Sequence, residues 1–251
     1  MPGTRPGMTC EAGRKRSVST IKVMSAGAVE AVVRQLAPEF ERASGHKVDL
    51  NFGTAGSMRD RIKNGEKTDL IILADAGIAE LDKLGHVKSG SVTPLGRSVT
   101  AMIVRDGAPA PDISTPAAFV QALRDAPSFT YTDPKSGGTG GIMFAGLLQK
   151  LGLLDEVNAK TVFGKGGHDV SVIVAEGRAA LGTTFVSEAL PVKGVTVVGP
   201  LPGELYYANT YTAALAADSA VGREAAALLS ALTDPVTRPR WTTAGLEPAF
   251  P

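Results

Sequence analysis

Cysteine is almost missing from the 251-residue chain: Cys10 stands alone, so no disulfide can close within the chain and no cysteine-based metal site can form. Histidine is scarce too. His46, His86 and His168 lie far apart, and no H-E-x-x-H or comparable ligand spacing accompanies them, so no metal is expected. Aromatic residues make up 5% of the chain, which leaves little material for stacking nucleobases. Charge of one sign is equally thin. The formal net charge is +1 and the longest like-charged run is Arg14-Lys15-Arg16, so no basic stripe could neutralise phosphates, and nucleic acid is excluded as a partner. No run of about 18 apolar residues is present, and membrane insertion is not expected. Residues 1–17 are polar, basic and broken by Pro and Gly, with none of the roughly 7–15 consecutive apolar residues of a secretory signal before Ile21. Read as written, the chain is expected in the cytoplasm, or in the periplasm if its true N-terminus differs. Residues 1–20 read as a disordered or misassigned tail, or as a sorting or binding arm.

Hydrophobic residues, at 43%, and charged residues, at 20%, are those of an ordinary globular protein that can bury a core. From Ile21 onward, short apolar runs alternate with helix-period segments. Ile21–Met24, Val48–Phe52, Leu70–Leu73, Val99–Val104, Phe129–Tyr131, Ala180–Phe185 and Val195–Val198 read as strands. Val29, Val32, Val33, Leu36 and Phe40 recur at i, i+3, i+4 spacing, which predicts a helix; Met58–Asn64 predicts a shorter one. Ser114-Thr115-Pro116 is a helix cap followed by Pro at the first helical position, and Asp218 is positioned to cap a last helix carrying Leu228, Leu229 and Leu232. Such alternation implies an α/β protein with mainly parallel sheets flanked by helices. Its length suggests two lobes. Crossings near Val99–Val104 and Leu205–Thr212 divide it into one lobe of residues 21–100 plus 206–251 and a second of residues 101–205.

Enzyme motifs are mostly missing. No glycine turn ends in Gly-Lys-Ser/Thr, the glycines of Gly137-Gly138-Thr139-Gly140-Gly141 lack dinucleotide spacing, and there is no G-x-S-x-G elbow, so no cofactor is expected. What the 29 glycines do supply is a set of small-polar turns, each after a strand and before a helix: Ser25–Ala28, Gly53–Ser57, Asp133–Gly140 and Gly166–Asp169. Helix N-termini present unpaired N–H groups and positive dipole ends, so four such turns converging between two lobes could hold an anion. Each turn taken singly is also explained as a tight strand–helix connection.

The segments Ile21–Asp75, Thr132–Gly152 and Val174–Leu205, in that order, resemble the molybdate-type solute-binding proteins of the type II periplasmic-binding fold. The resemblance implies a two-lobed molecule holding a small anion in its cleft, a monomer, and an ABC permease as partner if the protein is exported. At the ligand the resemblance departs from the family: its hydroxyl-bearing positions match Ala28, Ala55 and Phe185 here. Three missing donors in a closed cleft cost about 1–3 kcal/mol each, so molybdate is a poor fit. The D-P-x-x-G-G-x-x-G pattern and a Ser-Glu pair after a late strand are closer to a divergent branch that includes aconitate-isomerase-like proteins. That branch implies an organic carboxylate, a di- or tricarboxylate. Its oxygens would be received by Ser25, Ala26, Gly27, Thr54, Ala55, Gly56 and Ser57 from one lobe, and by Ser136, Gly137, Gly138, Thr139, His168 and Thr184 from the other. Arg97 is the candidate countercharge, because a guanidinium pairs with a carboxylate through two hydrogen bonds; a solvated surface arginine is the alternative. Two functions follow: a binding protein for a small organic anion, or a cofactor-free isomerase of an unsaturated polycarboxylate with His168 as its base. Oxyanion delivery to a transporter is a third.

Overall fold

The computed structural model describes residues 17–251. The tail reading therefore lies almost wholly outside the described residues, as does Cys10. The chain order is β1 (Thr20–Ala26), α1 (Glu30–Ser44), β2 (Lys47–Gly53), α2 (Ala55–Lys63), β3 (Leu70–Ala74) and α3 (Asp75–Lys83). There follow β4 (Thr93–Arg105), α4 (Pro116–Asp125), β5 (Phe129–Thr130), α5 (Thr139–Lys150), α6 (Leu154–Asn158) and α7 (Gly167–Ala175). The chain ends with β6 (Leu181–Phe185), α8 (Val186–Ala189), β7 (Val195–Pro200), β8 (Ala208–Leu215), α9 (Gly222–Leu232), α10 (Arg238–Thr243) and β9 (Glu247–Pro248). Local chemistry accounts for several boundaries. Thr115 accepts a hydrogen bond from Ala118 N–H at 3.1 Å, with Pro116 opening α4. The apolar stripe of α1 is buried at Val32, Val33, Leu36 and Phe40, and the helix stops at Gly45 in the left-handed region (φ 78°).

The strands follow the order β2-β1-β3-β8-β4-β6-β5, with β7 and β9 also pairing with β4. Pairs β1–β2, β1–β3 and β5–β6 are parallel, as the alternation predicts. The pairs made by β4 and by β8 are antiparallel: β3–β8, β4–β8, β4–β6, β4–β7 and β4–β9. The sequence reading of mainly parallel sheets thus holds for the pairs among β1, β2, β3, β5 and β6, while every pair made by β4 or β8 runs antiparallel. One strand, β4, belongs to both sheets. It pairs with β8 through Val99 and with β6 from Thr100 onward. The chain returns across the same boundary between Pro200 and Ala208, through a short 3-10 turn at Gly203–Leu205.

Two main apolar cores sit on either side of this handover. One gathers β1, α1, β3, β8 and α9 around Ile21, Val32, Leu70–Leu73 and Leu228. The other is built on Met102, Phe119, Phe129, Tyr131 and Phe144, with Phe129 and Phe144 stacked at 5.5 Å. Asp218 does not cap α9, which begins at Gly222; its carboxylate is ion-paired with Lys67 instead. Helix α10, not foreseen from the sequence, places Trp241 in the first core. The indole is fully buried and donates Nε1–H to the Leu232 carbonyl at 3.1 Å. Trp241→Ala removes that packing and leaves a cavity, so it should cost about 3–5 kcal/mol in urea unfolding. A loss below about 1 kcal/mol would show that this corner relaxes around the void.

Candidate functional site

The four glycine-polar turns meet around one cavity of about 260 Å³. From the first core come Ala26–Ala28 after β1 and Gly53–Ala55 after β2; from the second come Gly138–Gly140 at the start of α5 and Gly166–Asp169 at the start of α7. The first-turn N–H groups of these helices lack intrahelical partners, so the wall is rich in backbone donors. Phe185 and Tyr211 complete the enclosure.

Two hydrogen bonds tie the halves together on one side of the cavity. Thr54 Oγ1 donates to the Ser136 carbonyl at 2.5 Å, and Gly56 N–H donates to the Gly137 carbonyl at 3.0 Å. The backbones approach so closely that a Cβ on Gly56 would lie 2.8 Å from Gly137 Cα. Gly137 also holds φ at 75°, which an L side chain rarely adopts.

The expected ligand residues divide into two groups. Ala26, Gly27, Thr54, Ala55, Gly138, Thr139 and His168 line the cavity. Ser25, Gly56, Ser57, Ser136, Gly137 and Thr184 stand behind it and brace its turns. Ser25 donates to the Ala26 carbonyl (3.1 Å), Ser57 to the Thr54 carbonyl (3.0 Å) and Ser136 to the Asp133 carbonyl (2.7 Å). Arg97 is a correction. On β4 it alternates with buried Gly96 and Ser98 and therefore faces solvent, 3.9 Å from Glu247, with its guanidinium over the Tyr206 ring. The basic side chain that does line the cavity is Lys165, beside the acidic Glu30 and Asp169; His168 is exposed at its edge without a hydrogen-bond partner among the described residues.

The group that sequence reasoning missed is Glu188, the glutamate of the Ser-Glu pair, at the start of α8. Its carboxyl lies in the cavity wall, receives a hydrogen bond from Thr184 Oγ1 at 3.1 Å, and is bonded by the N–H groups of Phe185 and Gly167. Gly167 must be glycine to make room: a Cβ there would sit 1.9 Å from Glu188 Oε2. Burial pushes the carboxyl up to about 7, and the nearby Glu30 carboxylate adds to the rise; the three hydrogen bonds oppose it without cancelling it. Tyr211 is the second missed residue. Its phenol is raised well above the usual range, by burial first and by the charge of Glu188 second, so it stays protonated as a donor. A Ser-Glu dipeptide was visible in the sequence; its burial was not.

A two-lobed α/β molecule that joins its halves through a shared antiparallel strand, with helix N-termini converging between them, defines the type II periplasmic-binding class. The chain belongs to the family described as bacterial extracellular solute-binding protein, which it matches over residues 21–247. It is 32% identical over 238 residues to an aconitate isomerase from a Pseudomonas species, covering 92% of this chain and 88% of that protein. It is 27% identical over 191 residues to the molybdate-binding protein of Azotobacter vinelandii, covering 74% and 73% of the two chains. In fold it is similar to the Mycobacterium tuberculosis sulfate-binding protein SubI, with a TM-score of 0.75 at 19% identity over 93% of this chain and 88% of that one. The family description speaks of extracellular proteins, so the cytoplasmic expectation has no support; among the described residues no helix is long and apolar enough to cross a membrane.

Glu188 also gives the fold a pH signature. Its value is raised in the folded chain, to about 7 from an ordinary 4.5, so the folded state holds the extra proton. Stability contributed by that proton is present below about 4.5 and is lost as pH rises towards 7, by up to about 1.4 kcal/mol for each pH unit. Glu188→Gln cannot ionise. The variant should melt at a higher temperature than the wild type at pH 8 and gain nothing at pH 4.5. An equal difference at both pH values would place the Glu188 titration elsewhere.

Proposed function

We propose that the protein binds a small organic carboxylate, a di- or tricarboxylate, in this cavity and isomerises it by moving a proton, with Glu188 as the acid–base group. The observation that carries the reading is a buried carboxyl poised near neutrality in a cavity wall where helix N-termini and Lys165 stand beside Glu30 and Asp169. A group of that kind is populated in both protonation states at pH 7, as a proton shuttle requires. The cavity lies below the roughly 300–1,000 Å³ of drug-sized sites, which suits a small acid. Ala28, Ala55 and Phe185 all line it without offering a hydroxyl, which disfavours a tetrahedral oxyanion. The similarity to an aconitate isomerase over most of both chains supports the same substrate class.

In this reading ionised Glu188 takes a proton from the carbon next to the double bond. The electron pair moves through the double bond into a carboxylate-stabilised dienolate. Helix N-terminal N–H groups, the Tyr211 hydroxyl and Lys165 offset the developing negative charge. Protonated Glu188 then returns the proton to the far carbon. His168, exposed and without an orienting partner, takes the lesser role of ligand contact. The second reading, binding without turnover, is favoured by the family description.

Following the ultraviolet absorbance of cis- and trans-aconitate with purified protein separates the two. Interconversion without metal or nucleotide is expected, and Glu188→Gln should reduce kcat by roughly 10² or more. His168→Asn should act mainly on affinity. Conversion untouched by Glu188→Gln would remove the glutamate from the reaction, and no conversion of any unsaturated acid would leave a binding protein. An anion beside Glu188 favours its protonated form, so affinity should fall as pH rises above about 7, measured by calorimetry in buffers of different ionisation enthalpy, while kcat, which needs the ionised carboxylate in the complex, should rise with pH over the same range.

A further inference from the structure

Beneath the cleft, one face of β8 carries three polar side chains in a row. Tyr207, Asn209 and Tyr211 are spaced two apart, so they fall on the same side of the strand. The Phe185 ring lies 6.0 Å from both tyrosine rings, centroid to centroid, in agreement with that placement. Of the three, Tyr211 lines the cavity. The two ends of the Asn209 amide are unequally served. Its Oδ1 accepts a hydrogen bond from the Tyr207 hydroxyl at 3.3 Å. Its Nδ2 is buried and has no fully formed hydrogen bond among the described residues. The amide is nevertheless close enough to act on Tyr211. Burial raises that phenol most, and Asn209 opposes the rise, as a group donating to the phenol oxygen does. A buried N–H left short of its partner is costly, so its presence calls for a reason.

We infer that Asn209 is a positioning residue for Tyr211: its N–H closes on the phenol oxygen, which leaves the phenol's one proton to point at the bound acid. The inference rests on the carboxylate reading of the cleft. A phenol has a single proton, so what its oxygen accepts decides where that proton goes. Were the amide reversed, its carbonyl would take the proton, and the cavity would face a lone pair that repels a carboxylate. Tyr207, by donating to Oδ1, holds the amide in the useful orientation. As negative charge builds on the ligand, the Tyr211 oxygen becomes a better acceptor, and the bond from Nδ2 strengthens with it. A contact that is weak at rest and strong in the transition state raises kcat more than affinity.

Asn209→Leu keeps the volume and removes both polar ends. It should melt within a few degrees of the wild type, because the donor it loses is an unpaired one. With cis- and trans-aconitate its kcat should fall roughly tenfold or more, while KM changes less than about threefold. Tyr211→Phe should lose at least as much, and the double variant no more than Tyr211→Phe alone, because the amide acts only through the phenol. Losses that multiply would overturn the inference, as would a collapse of the melting temperature in Asn209→Leu, which would mark the amide as a brace. If carboxylates bind without turnover, the isomerase reading fails and the same cycle is read in trans-aconitate affinity by calorimetry. Asn209→Leu should then weaken binding about two- to threefold, and do nothing further in Tyr211→Phe. The contact itself is read without any ligand from the Cζ carbon resonances of the four tyrosines. Asn209→Leu should move the line that Tyr211→Phe removes, and a line left in place would overturn the inference whatever the cleft binds.

Discussion

Everything about the cleft depends on the way β4 divides its hydrogen bonds. Its first half pairs with β8 and its second half with β6, so two sheets are fixed to the two ends of one thirteen-residue strand. The handover sets the site's floor. Thr100 is registered against Phe185 at the end of β6, and Gly96 against Tyr211 on β8. The two rings are thereby brought together across the junction, edge to face at 6.0 Å. Because Phe185 also belongs to the first core while its strand belongs to the second sheet, the floor is anchored in both halves. The helix N-termini must then converge above it, since strand ends carry the turns that open α1, α2 and α5.

The electrostatics of the site follow from that geometry. Four helix starts aimed at one small volume make a region where negative charge is favoured. The N–H groups of Gly167 and Phe185 face the Glu188 carboxyl. A carboxylate held so should be acidic, yet burial raises it to about 7, so desolvation outweighs three hydrogen bonds. The result is a carboxyl that can give up its charge when another anion arrives. A permanently ionised residue at that point would repel the ligand that the helix dipoles attract.

Much of the fold was legible in the sequence because apolar runs and caps are local. The strands from Ile21, Val48, Leu70, Phe129 and Val195, the Thr115 cap and the four turns all lie where periodicity and turn chemistry put them. The direction of β4 and β8 was not legible, because antiparallel pairing between strands more than a hundred residues apart leaves no local mark. Helix α10 was missed for a related reason: its six residues, Arg-Pro-Arg-Trp-Thr-Thr, show no stripe, and what holds it is Trp241 docking into a core assembled from distant elements. At the site, turn positions could be read but burial could not. Arg97 looked available and Glu188 did not, whereas strand alternation sends the arginine outward and the fold closes over the glutamate.

The cavity's donors are mostly backbone, and that bears on what it can select. Hydroxyl side chains arranged around a point suit a compact tetrahedral ion, because each can rotate to meet one oxygen. Ala28, Ala55 and Phe185 remove that option along three walls. Backbone N–H groups at helix starts are fixed in direction, and turns from both halves meet closely here: Gly27 and Gly167 both lie against the Glu188 carboxyl, and Gly138 lies against Thr54. Fixed backbone donors beside a carboxyl that can lose its charge make the proposed carboxylate a better fit than a compact ion encircled by hydroxyls.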